Sequence, residues 1–180
     1  MKVDPARKHF EEQVKVYGDN ILINLVNQTG HEKPIKVAFE ELIRRMGMDR
    51  VKYVYFDFHH ECSKMRWDRI SLLVDLLRDD LAKQQYDFLK SETDRCRYTL
   101  IEGDKMVKEQ TSVIRTNCMD CLDRTNVVQS TLARHVITKQ LVEAGIFNET
   151  DRVDMFPDFE SMFRNSTPQA LFGWTNLSLG

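Results

Sequence analysis

Between two short apolar runs, Ile21–Val26 and Val51–Phe58, apolar residues recur at three- and four-residue spacing: Ile35, Ala38, Phe39, Leu42, Ile43 and Met46. That spacing places them on one stripe of a helix, which Pro34 opens and Gly47 closes. The flanking runs have the length and residue types of strands. Val51–Phe58, apolar at both alternating positions, predicts a buried strand. Residues 5–17 predict a further helix with Phe10, Val14 and Tyr17 on one face, and Trp67, Ile70, Val74, Leu77 and Leu81 predict another. Strand and helix thus alternate, which predicts an α/β fold: a central, largely parallel or mixed sheet flanked by helices. Residues 86–116 read as short strands around turns near Asp94 and Gly103, with a strand ending at Val113 and Ile114. Thr125–Val142 reads as a helix with Val128, Leu132, Val136 and Leu141 inward and Gly145 as its stop.

The chain has 180 residues, 42% apolar and 30% charged, the range of one globular domain with a sizeable core. A net charge of -2 excludes a protein that holds nucleic acid by overall positive charge. An anionic ligand must be held locally. No apolar run nears the roughly 18 residues that cross a bilayer, and Met1–Pro5 lacks the apolar core of a signal peptide, so the chain reads as soluble. Four cysteines, at 62, 96, 118 and 121, do not form a secreted disulfide framework and point to a reducing compartment.

One loop carries the chemistry. In Val113-Ile-Arg-Thr-Asn-Cys118-Met-Asp120-Cys121-Leu-Asp123-Arg124-Thr125-Asn126, a strand feeds a cysteine, five residues intervene, and an arginine stands at the opening of a helix. The N–H groups of such a loop and first helical turn converge on one point, backed by the helix dipole. This predicts a cysteine-phosphatase-like strand, phosphate loop and helix. Asn117, Met119, Cys121, Leu122 and Asn126 would line the cradle, and Cys118, ionised by that positive potential, would be the nucleophile. Arg124 would bind two phosphoryl oxygens through its fork. Asp123, or failing that Asp120, would protonate the leaving oxygen, and Thr125 could donate its hydroxyl to the sulfur.

The run from Arg115 to Ser130 closely resembles the active-site signature of the Sac-domain phosphoinositide phosphatases. So do Ile23-Asn-Leu-Val-Asn-Gln28, Glu32-Lys-Pro34, Phe56-Asp-Phe-His-His-Glu-Cys62 and Met65-Arg-Trp-Asp-Arg69, and the likeness covers roughly residues 7–165. It implies hydrolysis of phosphatidylinositol monophosphates, such as phosphatidylinositol 4-phosphate, through a cysteinyl-phosphate and without a metal or other cofactor. It also implies work at the cytosolic face of endoplasmic reticulum and Golgi membranes, on a membrane-anchored parent. The loop is similar to that of the myotubularins as well, where aspartates stand two and five places after the cysteine and the second donates the proton. That ranks Asp123 above Asp120. Family members carry earlier and later catalytic-domain segments, so residues 1–164 are expected to be part of a Sac-type domain incomplete at both ends, with 165–180 an irregular tail.

Other readings compete. Cys118 and Cys121 could form a redox pair or half a zinc site, although Cys62 and Cys96 stand alone and supply no second pair. A protein phosphotyrosine phosphatase shares the loop chemistry, and a truncated, catalytically inactive segment could serve only in binding. His59, His60 and Asp57 follow a strand end and read as structural. Lys64, Arg66 and Arg69, mixed with Glu61 and Asp68, read as a solvated helix start.

Overall fold

The computed structural model describes residues 3–83, 86–87, 99–102, 105–119 and 123–166. The chain divides into two compact units, Met1–Asn117 and Cys118–Gly180.

In the first unit, helix α1 (Asp4–Tyr17) leads into strand β1 (Asp19–Asn24), helix α2 (Lys33–Met46) and strand β2 (Val51–Tyr55). Strand β6 (Ser112–Asn117) completes a parallel sheet of order β2-β1-β6. The register pairs Asn24 with Tyr55 on one side and with Asn117 on the other, so three carboxyl ends lie level. Central β1 is buried from Asn20 onward, which is why Ile21–Val26 reads as an apolar run interrupted only by Asn24. Phe10, Leu22, Met46 and Val51 form a core with Val14, Phe39, Leu42 and Ile43 packed on it. Of the predicted α2 stripe Ile35 and Ala38, in the first turns, stand exposed.

Two expectations need correction. The strand predicted to run to Phe58 stops at Tyr55, and it is an edge strand whose Lys52 is exposed rather than a buried one. Asp57 ends it by capping the four-residue helix α3 (Phe58–Glu61), its Oδ1 accepting from the His60 N–H at 3.0 Å. The helix expected over Trp67–Leu81 is three pieces: a 3₁₀ turn Trp67–Ile70, α4 (Ser71–Leu76) and α5 (Arg78–Lys83). Leu77 breaks the last two with φ -95° and ψ 0°. Of the predicted stripe Ile70, Leu77 and Leu81 are buried, Trp67 and Val74 are half-buried, and Leu73 rather than Val74 fills the buried position between them.

Strands β3 (Tyr86–Asp87), β4 (Thr99–Glu102) and β5 (Lys105–Gln110) form a second, antiparallel sheet of order β3-β5-β4. The turns expected at Asp94 and Gly103 lie outside the described residues.

The second unit holds α6 (Asp123–Glu143), a 3₁₀ turn Val153–Met155 and α7 (Pro157–Ser166). Val128 and Leu132 are buried as expected, whereas Val136 and Leu141 are only half-buried. Gly145 closes the helix end with φ 68°, a left-handed conformation suited to glycine. Arg134 on α6 reaches Glu160 on α7 through two hydrogen bonds of 2.6 and 3.1 Å and lies 4.9 Å above the Phe163 ring. Phe147 stacks on Phe156 with ring centres 4.7 Å apart.

Candidate active site

Parallel strands present their carboxyl ends together, and in open α/β sheets that edge is where ligands bind. Here the edge is polar. Asn24 is fully buried, and its Oδ1 accepts from Asn117 Nδ2 at 3.1 Å and from the Val26 N–H at 3.3 Å. Its Nδ2 donates to Tyr53 Oη at 3.1 Å, and Tyr53 donates in turn to Glu40 at 3.0 Å. Lys36 pairs with Glu40 at 2.7 Å and lies 4.3 Å above the Tyr55 ring. Buried Glu32 accepts from the Asn27 N–H at 2.7 Å, fixing the turn that follows β1. Burial, with Glu40 adding to it, pushes the Tyr53 hydroxyl well up, so it stays a neutral donor. Burial and then the charge of Asp57 push Tyr55 up to about 12.

Asn117 is the last residue of β6, not part of the loop as the sequence suggested. The next residue, Cys118, is buried, and its Sγ lies 3.0 Å from Thr125 Oγ1 in the first turn of α6. Either atom can donate in that contact. Asn126 is buried beside Thr125 in sequence, Arg124 is half-buried, and Asp123 is exposed at the first position of α6. Met119 is 50% exposed. Asp120, Cys121 and Leu122 lie outside the described residues. Among the described residues, no group of three or more His, Cys, Asp or Glu side chains could hold a metal ion.

His59 and His60 are exposed on α3. His60 Nδ1 lies 3.0 Å from Glu61, whose carboxylate takes two bonds from Arg69 at 2.7 and 3.0 Å. These partners hold the Glu61 carboxyl below the usual range. Arg66 is spent on Ser63 and the His60 carbonyl. Cys62 is a buried free thiol that desolvation, and then Glu61, push up to about 11. The Asn24, Tyr53 and Glu40 chain escaped the reading of the sequence. Its one signal there is a lone asparagine inside an apolar strand.

The class defined so far is an α/β protein in which a buried cysteine directly follows the end of a parallel strand. Comparison with known proteins narrows it. Residues 1–63 match the family model described as SacI homology domain. The phosphatidylinositol-3-phosphatase SAC1 of Saccharomyces cerevisiae is 49% identical over 144 residues, which cover 80% of this chain and 22% of that protein. SAC1-A of Danio rerio, of the same name, is 42% identical over 165 residues, 91% of this chain and 26% of the relative. SAC1 of Drosophila melanogaster is 44% identical over 157 residues, 87% and 25%. The chain belongs to the Sac phosphoinositide phosphatase family, and it spans about a quarter of the length of the curated relatives it matches.

Proposed function

We propose that the chain carries the catalytic cysteine of a phosphoinositide phosphatase, acting on phosphatidylinositol monophosphates, phosphatidylinositol 4-phosphate among them, at a membrane surface. The observation that supports it most is the 3.0 Å approach of Thr125 Oγ1 to the buried Cys118 sulfur, at the helix start that follows the strand. In the first step Cys118 Sγ attacks phosphorus, the bond to the inositol oxygen breaks, and that oxygen takes a proton from Asp123 or Asp120. The loop amides and the Arg124 fork hold the equatorial oxygens as charge spreads over them. Water then attacks phosphorus, the P–S bond breaks, and inorganic phosphate leaves while the Thr125 hydroxyl donates to the departing sulfur.

The relatives' names specify the 3-phosphate, so the position cleaved is settled by assay. Among the described residues no helix is long and apolar enough to cross a membrane. Family likeness points to the cytosolic face of endoplasmic reticulum and Golgi membranes, reached through an anchor in a longer parent.

The test is phosphate release from short-chain phosphatidylinositol 3-, 4- and 5-phosphates and from phosphotyrosine peptides, for the chain and its C118S variant. Release from the lipids that C118S abolishes is expected. Release confined to phosphopeptides, release that survives C118S, or no release at all would each overturn the proposal.

A further inference from the structure

We propose that the first unit docks on an anionic lipid bilayer through the first turns of α2, at the carboxyl edge of its parallel sheet; this goes beyond the function proposed above and needs no turnover. From Gln28 to Ala38 all residues but Glu32 and Lys36 are exposed. Ile35 is 41% and Val37 51% exposed, and Pro34 and Ala38 stand open next to them. The outward face of a surface helix is ordinarily polar. Further along α2 it is so, since Glu41 takes bonds of 2.6 to 2.8 Å from Arg44 and Arg45. One helix thus starts apolar and ends in paired charge, which suits entry into an interface by its tip. The tip is held in place, because the buried Glu32 carboxylate accepts from the Asn27 N–H at 2.7 Å in the turn before it.

Charge selects the partner. The whole chain carries a net charge of -2, yet the two stretches that leave β1 and β2 at this edge are basic on their exposed side. The stretch after β1 exposes His31 and Lys33 and buries its one acid, Glu32. The stretch after β2 exposes His59, His60, Lys64 and Arg66 before Trp67. Its acids, Asp57 and Glu61, are half-buried, one capping α3 and the other bound by Arg69. The stretches are neighbours, because β1 pairs with β2 and Lys36 of α2 lies 4.3 Å above the ring of Tyr55, the last residue of β2. Apolar tips inside a basic rim fit a bilayer with anionic headgroups, where the tips bury at the acyl boundary and each base near the surface adds attraction. Ile35 and Val37 are too little for a protein partner, since a stable interface takes about 800 Å² from each side.

The test is flotation of the 180-residue chain with vesicles of phosphatidylcholine alone and of phosphatidylcholine with phosphatidylserine. Wild type is compared with I35S/V37S, K33A/K64A and, as the control, L72S/L76S, whose leucines on α4 are 43% and 56% exposed. All are matched for folded fraction by circular dichroism. Wild type is expected to float with the mixed vesicles and not with phosphatidylcholine alone, and to be released by salt. I35S/V37S is expected to weaken binding by about tenfold or more, K33A/K64A by about tenfold to thirtyfold, and L72S/L76S by no more than about twofold. V37S, with a loss of severalfold, stands in if I35S/V37S does not fold. A wild type that ignores the mixed vesicles, or that binds phosphatidylcholine equally well, overturns the inference. So does either test variant binding like wild type, or the control losing as much as I35S/V37S. A wild-type dimer that I35S/V37S dissolves in sedimentation gives the patch to a second copy and overturns it too. Phosphate release from short-chain lipids is read without vesicles, so failure of the proposed function and failure of docking are separate results.

Discussion

Gly18→Ala should be far more damaging than alanine at any other described glycine. Gly18 follows α1 with φ 78° and ψ -146°, a conformation close to one that only glycine adopts readily. A Cβ placed there would lie 1.9 Å from the Thr111 carbonyl oxygen and 2.7 Å from its carbon. Both are backbone atoms, so relief needs a shift of more than 1 Å. The Thr111 oxygen also accepts from the Asp19 N–H at 3.0 Å, a bond worth about 1 kcal/mol that the shift would stretch or break. Backbone strain adds about 1–3 kcal/mol and overpacking about 1–3 kcal/mol. The sum, of order 3–7 kcal/mol, rivals the whole stability of many domains. Gly47 is the control: its φ of 54° and ψ of 45° are left-handed too, but nothing lies within 4 Å of a Cβ there. Gly47→Ala should cost only about 1–2 kcal/mol. Urea denaturation followed by circular dichroism measures both. A G18A midpoint that implied a loss within about 1 kcal/mol of the G47A value would refute the close approach. The approach also bears on the sheet, because Thr111 precedes β6, and the register that starts at Asp19 with Ser112 ends at Asn24 with Asn117.

Other outcomes are accessible by simpler means. Cys62, raised to about 11, should resist iodoacetamide at pH 8 in the native chain and react readily in denaturant; mass spectrometry showing equal rates would contradict its burial. Because its folded value lies above the unfolded one, the native state holds the proton longer. Its contribution to stability is therefore complete below about pH 9 and fades as pH rises toward 11. Arg134→Ala should lower the stability of the second unit by about 1–2 kcal/mol through the lost two-pronged bond and ring contact. Arg134→Lys should recover little of it, because one ammonium cannot reproduce the fork, and full recovery in a thermal melt would count against that geometry. Thr125→Val, which removes the hydroxyl 3.0 Å from the sulfur, should slow the second chemical step by about tenfold to a hundredfold and produce a burst in rapid quench. Unchanged turnover without a burst would leave Thr125 with no part in sulfur departure.

What the sequence disclosed follows the reach of its local signals. α2 and β1 were legible because one apolar stripe and one apolar run, each bounded by a glycine or a polar turn, decide them without distant partners. Val51–Phe58 reads as one strand because Phe56 and Phe58 are buried like strand residues, 6% exposed each, although the chain turns between them. Asp57 decides that turn by capping α3, and aspartate between two aromatics has no periodicity to betray it. The break at Leu77 was invisible for a related reason: the stripe Leu73, Leu77 and Leu81 keeps helical spacing across it. Helix α7 begins at Pro157, a favoured first-turn residue.

The loop motif and the polar residues at the sheet's carboxyl edge differ in the same way. Cys118, Thr125 and the start of α6 lie within eight residues, so spacing alone suggests that they meet. Asn24 binds Tyr53 across 29 residues and Asn117 across 93, and each looks ordinary where it stands. Only the parallel register brings them level. The sheet closes these long separations into one buried hydrogen-bonded chain, and replacing Asn24 would open it at both links.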